Sequence, residues 1–179
     1  MGGWLNHGVA RPIGNPETGL VVVRGNSGSG KSTLAHRLQL LRDRRLAVVA
    51  QDIVRRQILR VPDVPGNASI GLIDTIVRHC LDGGFDVVVE GILGADKYGQ
   101  MLTRLAEDHW GRSLFVRYEL SFEETLRRHA SKATSEFGEV EMRQWWREAD
   151  GLQGVDELVI GPAPSLDETV ERIARVMGW

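Results

Sequence analysis

Residues 25–32 combine the residue types that hold a polyphosphate. They fit the P-loop pattern G-x-x-x-x-G-K-[ST]. Glycines allow backbone angles that turn successive N–H groups onto an anion, and the start of the following helix adds a positive end. We predict that this loop, together with Thr33, binds a nucleotide, that Lys31 spans the β- and γ-phosphates, and that Ser32 completes a Mg²⁺ shell. The loop residues are Gly25, Asn26, Ser27, Gly28, Ser29, Gly30, Lys31 and Ser32. Their glycine spacing does not fit the dinucleotide pattern G-x-G-x-x-G.

Two acids follow apolar runs that are typical of buried strands. Asp52 comes after residues 46–50, and Glu90 ends the run at residues 85–91. Ligands of parallel sheets bind at the carboxyl ends of strands. Asp52 is therefore a candidate general base, although its position also suits a helix N-cap, and the two roles can coexist. Glu90 is a candidate acid that supports Mg²⁺ or orients the substrate hydroxyl; the alternative is a strand-end carboxylate facing solvent.

Basic and aromatic residues cluster in the last third of the chain. Arg128 and Lys132 lie four residues apart, as do Arg143 and Arg147. Such pairs share one helical face and suit a mobile lid that closes over phosphates. In the alternative, they belong to a solvated face on which Arg128 pairs with Glu124 and Arg143 with Glu139. Of the neighbouring Trp145 and Trp146, at least one is expected in the core, which leaves the other able to stack on an aromatic acceptor.

The elements that must position these side chains alternate along the chain. Short β-branched runs predict strands at residues 20–24, 46–50, 85–91, 113–120 and 157–160. Between them, apolar residues at helical spacing predict helices, one of them with Leu34, Leu38 and Leu41 on its buried face. Ser121 with Glu124 and Ser165 with Glu168 are capping-box patterns at two helix starts. This alternation predicts an α/β fold, a five-stranded parallel sheet with helices on both faces.

With these motifs in place, residues 20–177 resemble the small P-loop kinases of the nucleoside-monophosphate-kinase-like superfamily. The D-x-x-R spacing of Asp52 and Arg55 is nearest to the polynucleotide 5′-hydroxyl kinase and zeta-toxin types, with chloramphenicol phosphotransferase also similar. The resemblance implies a three-layer P-loop NTPase fold with a small helical lid. It further implies that Asp52 accepts the proton of the attacking hydroxyl, that Arg55 steadies the substrate or Asp52, and that Arg128 and Lys132 clamp phosphates. The turn containing Pro162 is implied to pack against adenine.

Length and charge narrow the class of protein. The chain has 179 residues, a formal net charge of −2 and one cysteine. It fits one domain from residue 20 to 179, with its lid at about residues 128–148, after a Pro/Gly-rich lead-in at residues 1–19. The charge balance argues against a broad nucleic-acid-binding surface. The single cysteine and the lack of a secretory signal or long apolar run predict a cytoplasmic protein without a membrane anchor.

These features together predict the function. GTPases usually carry an N-K-x-D element that is missing from this sequence, and AAA+ ATPases are longer chains. We expect an ATP- and Mg²⁺-dependent kinase that transfers the γ-phosphoryl group to a hydroxyl of a small molecule. The alternatives are a nucleic-acid 5′-hydroxyl kinase and a nucleotide-binding regulatory or toxin-like module without small-molecule turnover. The acceptor and the oligomeric state stay open.

Overall fold

A five-stranded sheet forms the centre of the molecule. The structure, a computed structural model, describes residues 12–130, 137–148 and 150–179. All strand pairs are parallel, in the order β2-β3-β1-β4-β5. The strands are β1 (Gly19–Arg24), β2 (Leu46–Ala50), β3 (Asp86–Gly91), β4 (Arg112–Tyr118) and β5 (Glu157–Ile160). The predicted α/β class and five-stranded parallel sheet are confirmed.

Six α-helices connect or flank these strands in the described part of the chain. They are α1 (Lys31–Arg42), α2 (Ala68–Asp82), α3 (Ala95–Asp108), α4 (Phe122–Ala130), α5 (Glu139–Trp145) and α6 (Leu166–Met177). A π-helical segment, Ile53–Leu59, follows β2 after one short turn. Helix α1 begins at Lys31, inside the phosphate-loop motif. Helix α5 and the last three residues of α4 fall within residues 128–148, where a lid is predicted.

The core is divided between the two faces of the sheet because successive side chains of β1 point to opposite sides. Leu20 and Val22 pack with buried residues of α2 and α3, while Val21 and Val23 pack with those of α1 and α6. The result is the three-layer arrangement of the P-loop NTPase fold. One residue departs from the expected pattern: Leu41 is 51% exposed, because α1 buries only the part of its apolar face that contacts the sheet.

The segment before β1 packs against the domain from residue 12 onward. Ile13 is buried and forms a parallel β-bridge with His109. The Asp86 carboxylate, at the amino end of β3, accepts a hydrogen bond from the Gly19 N–H at 2.8 Å and pairs with Arg42. Asp86 thus has a structural role. No helix among the described residues is long and apolar enough to cross a membrane.

The two predicted helix starts differ in their caps. At α6, the Ser165 hydroxyl and the Glu168 carboxylate each accept a hydrogen bond from the other residue's backbone N–H, which completes the capping box. At α4, the Ser121 hydroxyl accepts from the Glu124 N–H at 3.2 Å. The Glu124 carboxylate binds arginines Arg127 and Arg128 of the same helix. Three charge-assisted bonds from two guanidinium groups outweigh one bond to a backbone N–H.

Candidate active site

The phosphate-loop motif forms a turn between β1 and α1 that depends on its glycines. Gly25, Gly28 and Gly30 have φ of 141°, 79° and 101°, a region that other residues rarely adopt. A Cβ on Gly28 would lie 2.5 Å from the Thr125 carbonyl oxygen, whereas a Cβ on Gly30 would meet nothing within 4 Å. Gly28 therefore allows a close approach to α4, and Gly30 is required for its backbone angle alone.

Lys31 is held across this turn. It is the first residue of α1 and is buried. Its Nζ donates to the Asn26 carbonyl oxygen at 2.8 Å. A lysine that spans the loop in this way keeps its positive charge directly at the concave side of the turn, where the sequence predicts phosphate.

Ser32 and Glu90, the two predicted metal residues, lie in direct contact. The Ser32 hydroxyl donates to Glu90 Oε1 at 3.0 Å. Glu90 is next to the last residue of β3, and β3 pairs with β1, which leads into the phosphate loop. Glu90 is buried, so the solvent-facing alternative is wrong. No group of three or more His, Cys, Asp or Glu that could hold a metal occurs among the described residues. A hydroxyl and one carboxylate suit Mg²⁺, which keeps most of its water ligands and binds substrate phosphates.

Asp52 lies at the carboxyl end of the neighbouring strand β2. Its side chain is 58% exposed and receives a 3.1 Å ion pair from Arg55. Arg55 also donates to the Val61 carbonyl oxygen at 3.4 Å. Asp52 occupies the N-cap position of the Ile53–Leu59 segment, but its side chain makes no capping hydrogen bond. Arg55 therefore orients the carboxylate, which remains accessible to solvent at the carboxyl edge of the sheet.

One cleft of about 1080 Å³ brings these predicted residues together. It runs along the carboxyl ends of β1, β2 and β3, the edge at which ligands of parallel sheets bind. Predicted site residues that line it are Ser27, Gly28, Gly30, Lys31, Ser32, Thr33, Asp52, Arg55 and Glu90. Gly25 and Asn26 line a smaller adjoining cavity of about 200 Å³.

Arg128 links three structures at one end of the phosphate loop. It pairs with Glu124 at 2.6 Å, and it also donates to the carbonyl oxygens of Ser29 at 3.1 Å and Pro162 at 3.4 Å. The arginine thus joins the loop to the turn where the resemblance places adenine. Hydrogen bonds from Arg127 and Arg128 lower the pKa of the Glu124 carboxyl to about 2, which keeps this acid charged at every physiological pH.

The second basic pair divides between two roles. Arg143 pairs with Glu139 at 2.9 Å and lies over the Phe122 ring at 4.2 Å, which fits the solvated-face alternative. Arg147 lines the main cleft and pairs with Asp96 at 2.9 Å. Lys132 lies outside the described residues.

Aromatic rings form one wall of the cleft. Trp145, 38% exposed, lines the cleft and packs edge-on against Phe137 with ring centroids 5.0 Å apart. Trp146 also lines the cleft and packs edge-on against Phe122 at 5.2 Å. Trp145 is accordingly the more exposed of the two tryptophans and the better candidate for stacking on a ligand.

Two contact networks were missed by the sequence reasoning. Asn26 binds the backbone of Arg147 from both sides, with Nδ2 donating to its carbonyl oxygen at 2.8 Å and Oδ1 accepting from its N–H at 3.0 Å. Opposite the phosphate loop, Lys97 pairs with Asp63 at 2.6 Å. Neither network joins residues at a helical or strand spacing, so no periodic pattern could have revealed them. Lysine is rare in this sequence. The presence of Lys97 among the few lysines was therefore the one feature of the sequence that could have drawn attention to this ion pair.

A comparison with protein families gives one match. An AAA domain model (AAA_33) matches residues 20–154, about three quarters of the chain. No curated protein matches significantly.

Solved structures show the same fold. The APS kinase CysC of Mycobacterium tuberculosis, in complex with AMPPNP and APS, is 18% identical with a TM-score of 0.65, covering 94% of this chain and 99% of that one. A gluconokinase from Sinorhizobium meliloti 1021 is 17% identical with a TM-score of 0.64, covering 92% and 94%. An RNA repair complex contains a chain that is 18% identical with a TM-score of 0.54, covering 71% of this chain and 42% of that one. The first two are kinases of nearly the same length, and this chain shares their fold.

Proposed function

Because this chain belongs to the AAA domain family AAA_33, we propose that it is an ATP- and Mg²⁺-dependent kinase that transfers the γ-phosphoryl group to a hydroxyl of a small molecule. One observation carries the proposal. Lys31, the Ser32–Glu90 pair and Asp52 line a single cleft at the carboxyl edge of the sheet. Small kinases that share the fold support it, since APS kinase and gluconokinase are named for small-molecule acceptors.

Each of these residues has a separate role in phosphoryl transfer. The loop amides and Lys31 bind the phosphates, and Arg128 holds the loop against the Pro162 turn. Ser32 and Glu90 would hold Mg²⁺, which would neutralise negative charge on the nucleotide phosphates. Asp52 hydrogen-bonds the acceptor hydroxyl and takes its proton late, because the transition state is loose and needs only a weak base. The hydroxyl oxygen bonds to the γ-phosphorus as the bond from that phosphorus to the bridging oxygen breaks, and ADP leaves.

The experiment that tests the proposal incubates the protein with γ-labelled ATP, Mg²⁺ and a small-molecule extract, and identifies labelled products by mass. Lys31→Met is expected to abolish labelling, because phosphate binding and charge stabilisation are both lost. Asp52→Asn is expected to lower kcat by about 10²–10⁴-fold, the usual contribution of general-base catalysis, with KM for ATP unchanged. If the Asp52→Asn protein turns over at the native rate, Asp52 is not the base.

A nucleic-acid 5′-hydroxyl kinase is the second candidate. The ion pair between Asp52 and Arg55 and the likeness to a chain of an RNA repair complex favour it. Salt separates the two functions, because oligonucleotide binding weakens steeply with salt through counterion release whereas transfer to a small neutral acceptor does not. ATP binding without transfer to any small molecule or oligonucleotide would instead indicate a regulatory module.

A further inference from the structure

The wall of the cleft opposite the phosphate loop carries an ion pair held by a buried phenol. Asp63 comes from the loop before α2 and Lys97 from the first turn of α3. Lys97 Nζ lies 2.6 Å from Asp63 Oδ2, and the Tyr98 hydroxyl donates to Asp63 Oδ1 at 3.0 Å. Asp63 and Lys97 both line the cleft and are partly exposed, while Tyr98 is fully buried. The pair therefore offers a fixed hydrogen-bond acceptor and donor side by side.

A buried amide connects this wall to the candidate base. Gln51 Nε2 donates to the Tyr98 hydroxyl at 2.9 Å, and Gln51 directly precedes Asp52 in the chain. Gln51 lines the cleft and is only 2% exposed, yet its Oε1 has no hydrogen-bond partner among the described residues. A buried acceptor without a partner is costly, and such groups in native proteins are usually satisfied by a ligand or water. The wall is therefore incomplete without a hydrogen-bond donor.

Besides Lys31, four cationic side chains line this cleft: Arg55, Arg56, Lys97 and Arg147. Three of them each contact a carboxylate: Arg55 with Asp52 at 3.1 Å, Lys97 with Asp63 at 2.6 Å, and Arg147 with Asp96 at 2.9 Å. An anionic group placed at any of these three pairs would have to break the pair or lie against its carboxylate, both of which are unfavourable. A hydroxyl can accept from an ammonium and donate to a carboxylate while the pair stays intact. The exposed Trp145 ring adds an apolar face suited to the C–H side of a sugar or similar ring.

We propose that the acceptor is an uncharged polyhydroxyl compound, a sugar, glycoside or polyol, whose adjacent hydroxyls bind between Asp63 and Lys97 while a further hydroxyl faces Asp52. This inference rests on the proposed kinase function and narrows its substrate class. The transferred phosphoryl group ends on the hydroxyl at Asp52, which takes its proton, and the hydroxyls at Asp63 and Lys97 stay unmodified.

The test separates acceptors by charge. A small-molecule extract of the cells that naturally produce the protein is passed through anion- and cation-exchange resins before γ-labelled ATP and enzyme are added. Labelling in the neutral fraction is expected, as is its loss after mild periodate treatment, which cleaves carbon–carbon bonds between adjacent hydroxyls. Acceptor activity found only in a resin-bound fraction, or a neutral acceptor that survives periodate, would overturn the inference and leave the kinase proposal standing. Absence of labelling in the unfractionated extract, with ATP bound, would overturn both.

Variants test the wall itself once the acceptor is isolated. Asp63→Asn and Lys97→Gln are each expected to raise KM for the acceptor about tenfold or more while KM for ATP stays within about twofold. The matched control is Asp74→Asn, which breaks a partly exposed ion pair of α2 with Arg78 and should change neither constant. Unchanged acceptor KM in both wall variants would contradict the assignment, and circular dichroism checks that each variant is folded.

Discussion

At the residue scale, His109 is a buried imidazole held by two hydroxyl groups. Its Nε2 lies 3.0 Å from Thr18 Oγ1 and its Nδ1 lies 2.9 Å from Ser113 Oγ. Burial lowers the pKa of this imidazole below the usual value of 6.5, although the charge of Asp86 opposes the shift. The folded protein therefore holds the neutral ring, which fixes the segment at Ile13 against the end of α3.

Folding stability should consequently depend on pH through His109. Below about pH 6.5 the unfolded chain protonates this histidine more readily than the folded protein does, so acid favours unfolding. The stabilisation that the neutral His109 ring gives to the folded protein is complete above that pH and is lost as the pH falls. We expect the melting temperature to fall between about pH 7 and about pH 5, with a shallower slope in His109→Gln.

Thermal melts of both proteins across this range measure the two slopes. Direct observation of the His109 C–H resonance by NMR gives the titration in the native protein. Equal slopes in the two proteins, or a His109 resonance that titrates at the ordinary value, would contradict the prediction.

Residues that belong to a motif or end a strand were predictable from sequence, whereas the pairing of Asp63 with Lys97 was not. Asp52 and Glu90 stand at or next to the end of an apolar strand run, so the geometry of a parallel sheet fixes where they lie, and Lys31 belongs to a phosphate-loop motif of fixed spacing. Asp63 and Lys97 approach each other only because two connections happen to run side by side in space. The spacing of apolar residues does not determine the path of a connecting segment, so this ion pair could be identified only from the structure.

At the scale of elements, Asn26 connects the phosphate loop to the segment that follows α5. Its two hydrogen bonds to the Arg147 backbone fix the first half of the loop against this segment. Asn26→Ala removes both bonds, each worth about 0.5–1.5 kcal/mol, and frees the loop to leave its phosphate-binding shape. We expect KM for ATP to rise about tenfold, an effect of about 1.4 kcal/mol, measured by steady-state kinetics.

A stability-matched control distinguishes this effect from general loosening. Ile173→Val shortens a fully buried side chain of α6 away from the main cleft and should cost about 0.5–1.5 kcal/mol of unfolding free energy. Its KM for ATP should stay at the native value. A rise in KM as large as that of Asn26→Ala would show that loss of stability alone weakens nucleotide binding.

The positions of the elements were largely predictable, while some local details were not. The five strands begin and end within two residues of the sequence estimates, because continuous β-branched runs mark strands buried on both faces. The π-helical form of Ile53–Leu59 and the exposure of Leu41 depend on tertiary packing. The pairing of Glu124 with arginines likewise overrides the capping box that its spacing suggests.

At the scale of the whole molecule, Arg24 connects four separate parts of the chain. This last residue of β1 is 1% exposed, and it binds Glu157 of β5 at 2.5 Å, Asp150 at 3.1 Å and the Leu93 carbonyl oxygen at 3.0 Å. Arg117 also lies 3.3 Å from Glu157. A buried arginine with this many partners fixes the end of β1, and therefore the start of the phosphate loop, relative to the rest of the domain.

Removing one member of this buried group should be strongly destabilising. In Arg24→Met the negative charge of the buried Glu157 keeps only Arg117 as a partner. We therefore expect a loss of about 3–5 kcal/mol in the free energy of unfolding, measured with urea. The double variant with Glu157→Gln should recover part of that loss, because the uncompensated charge is gone. Arg37→Met, which breaks an exposed pair with Asp167, should cost no more than about 1 kcal/mol.

A loss below about 1 kcal/mol in Arg24→Met, similar to the exposed control, would show that the buried group does not stabilise the fold. The sequence did not reveal this group, because Arg24 reads as an ordinary polar residue at a strand end. Its partners lie far away in the chain, and their proximity follows from the strand order, which periodicity does not determine.

That strand order also governs how the protein can emerge during synthesis. β1 is made first but pairs only with β3 and β4, as in the partners Leu20–Val87 and Val23–Val116. A nascent chain on the ribosome must therefore carry an unpaired strand that is apolar except for Arg24 until its central partners have left the exit tunnel, a period of exposure to chaperones and to aggregation.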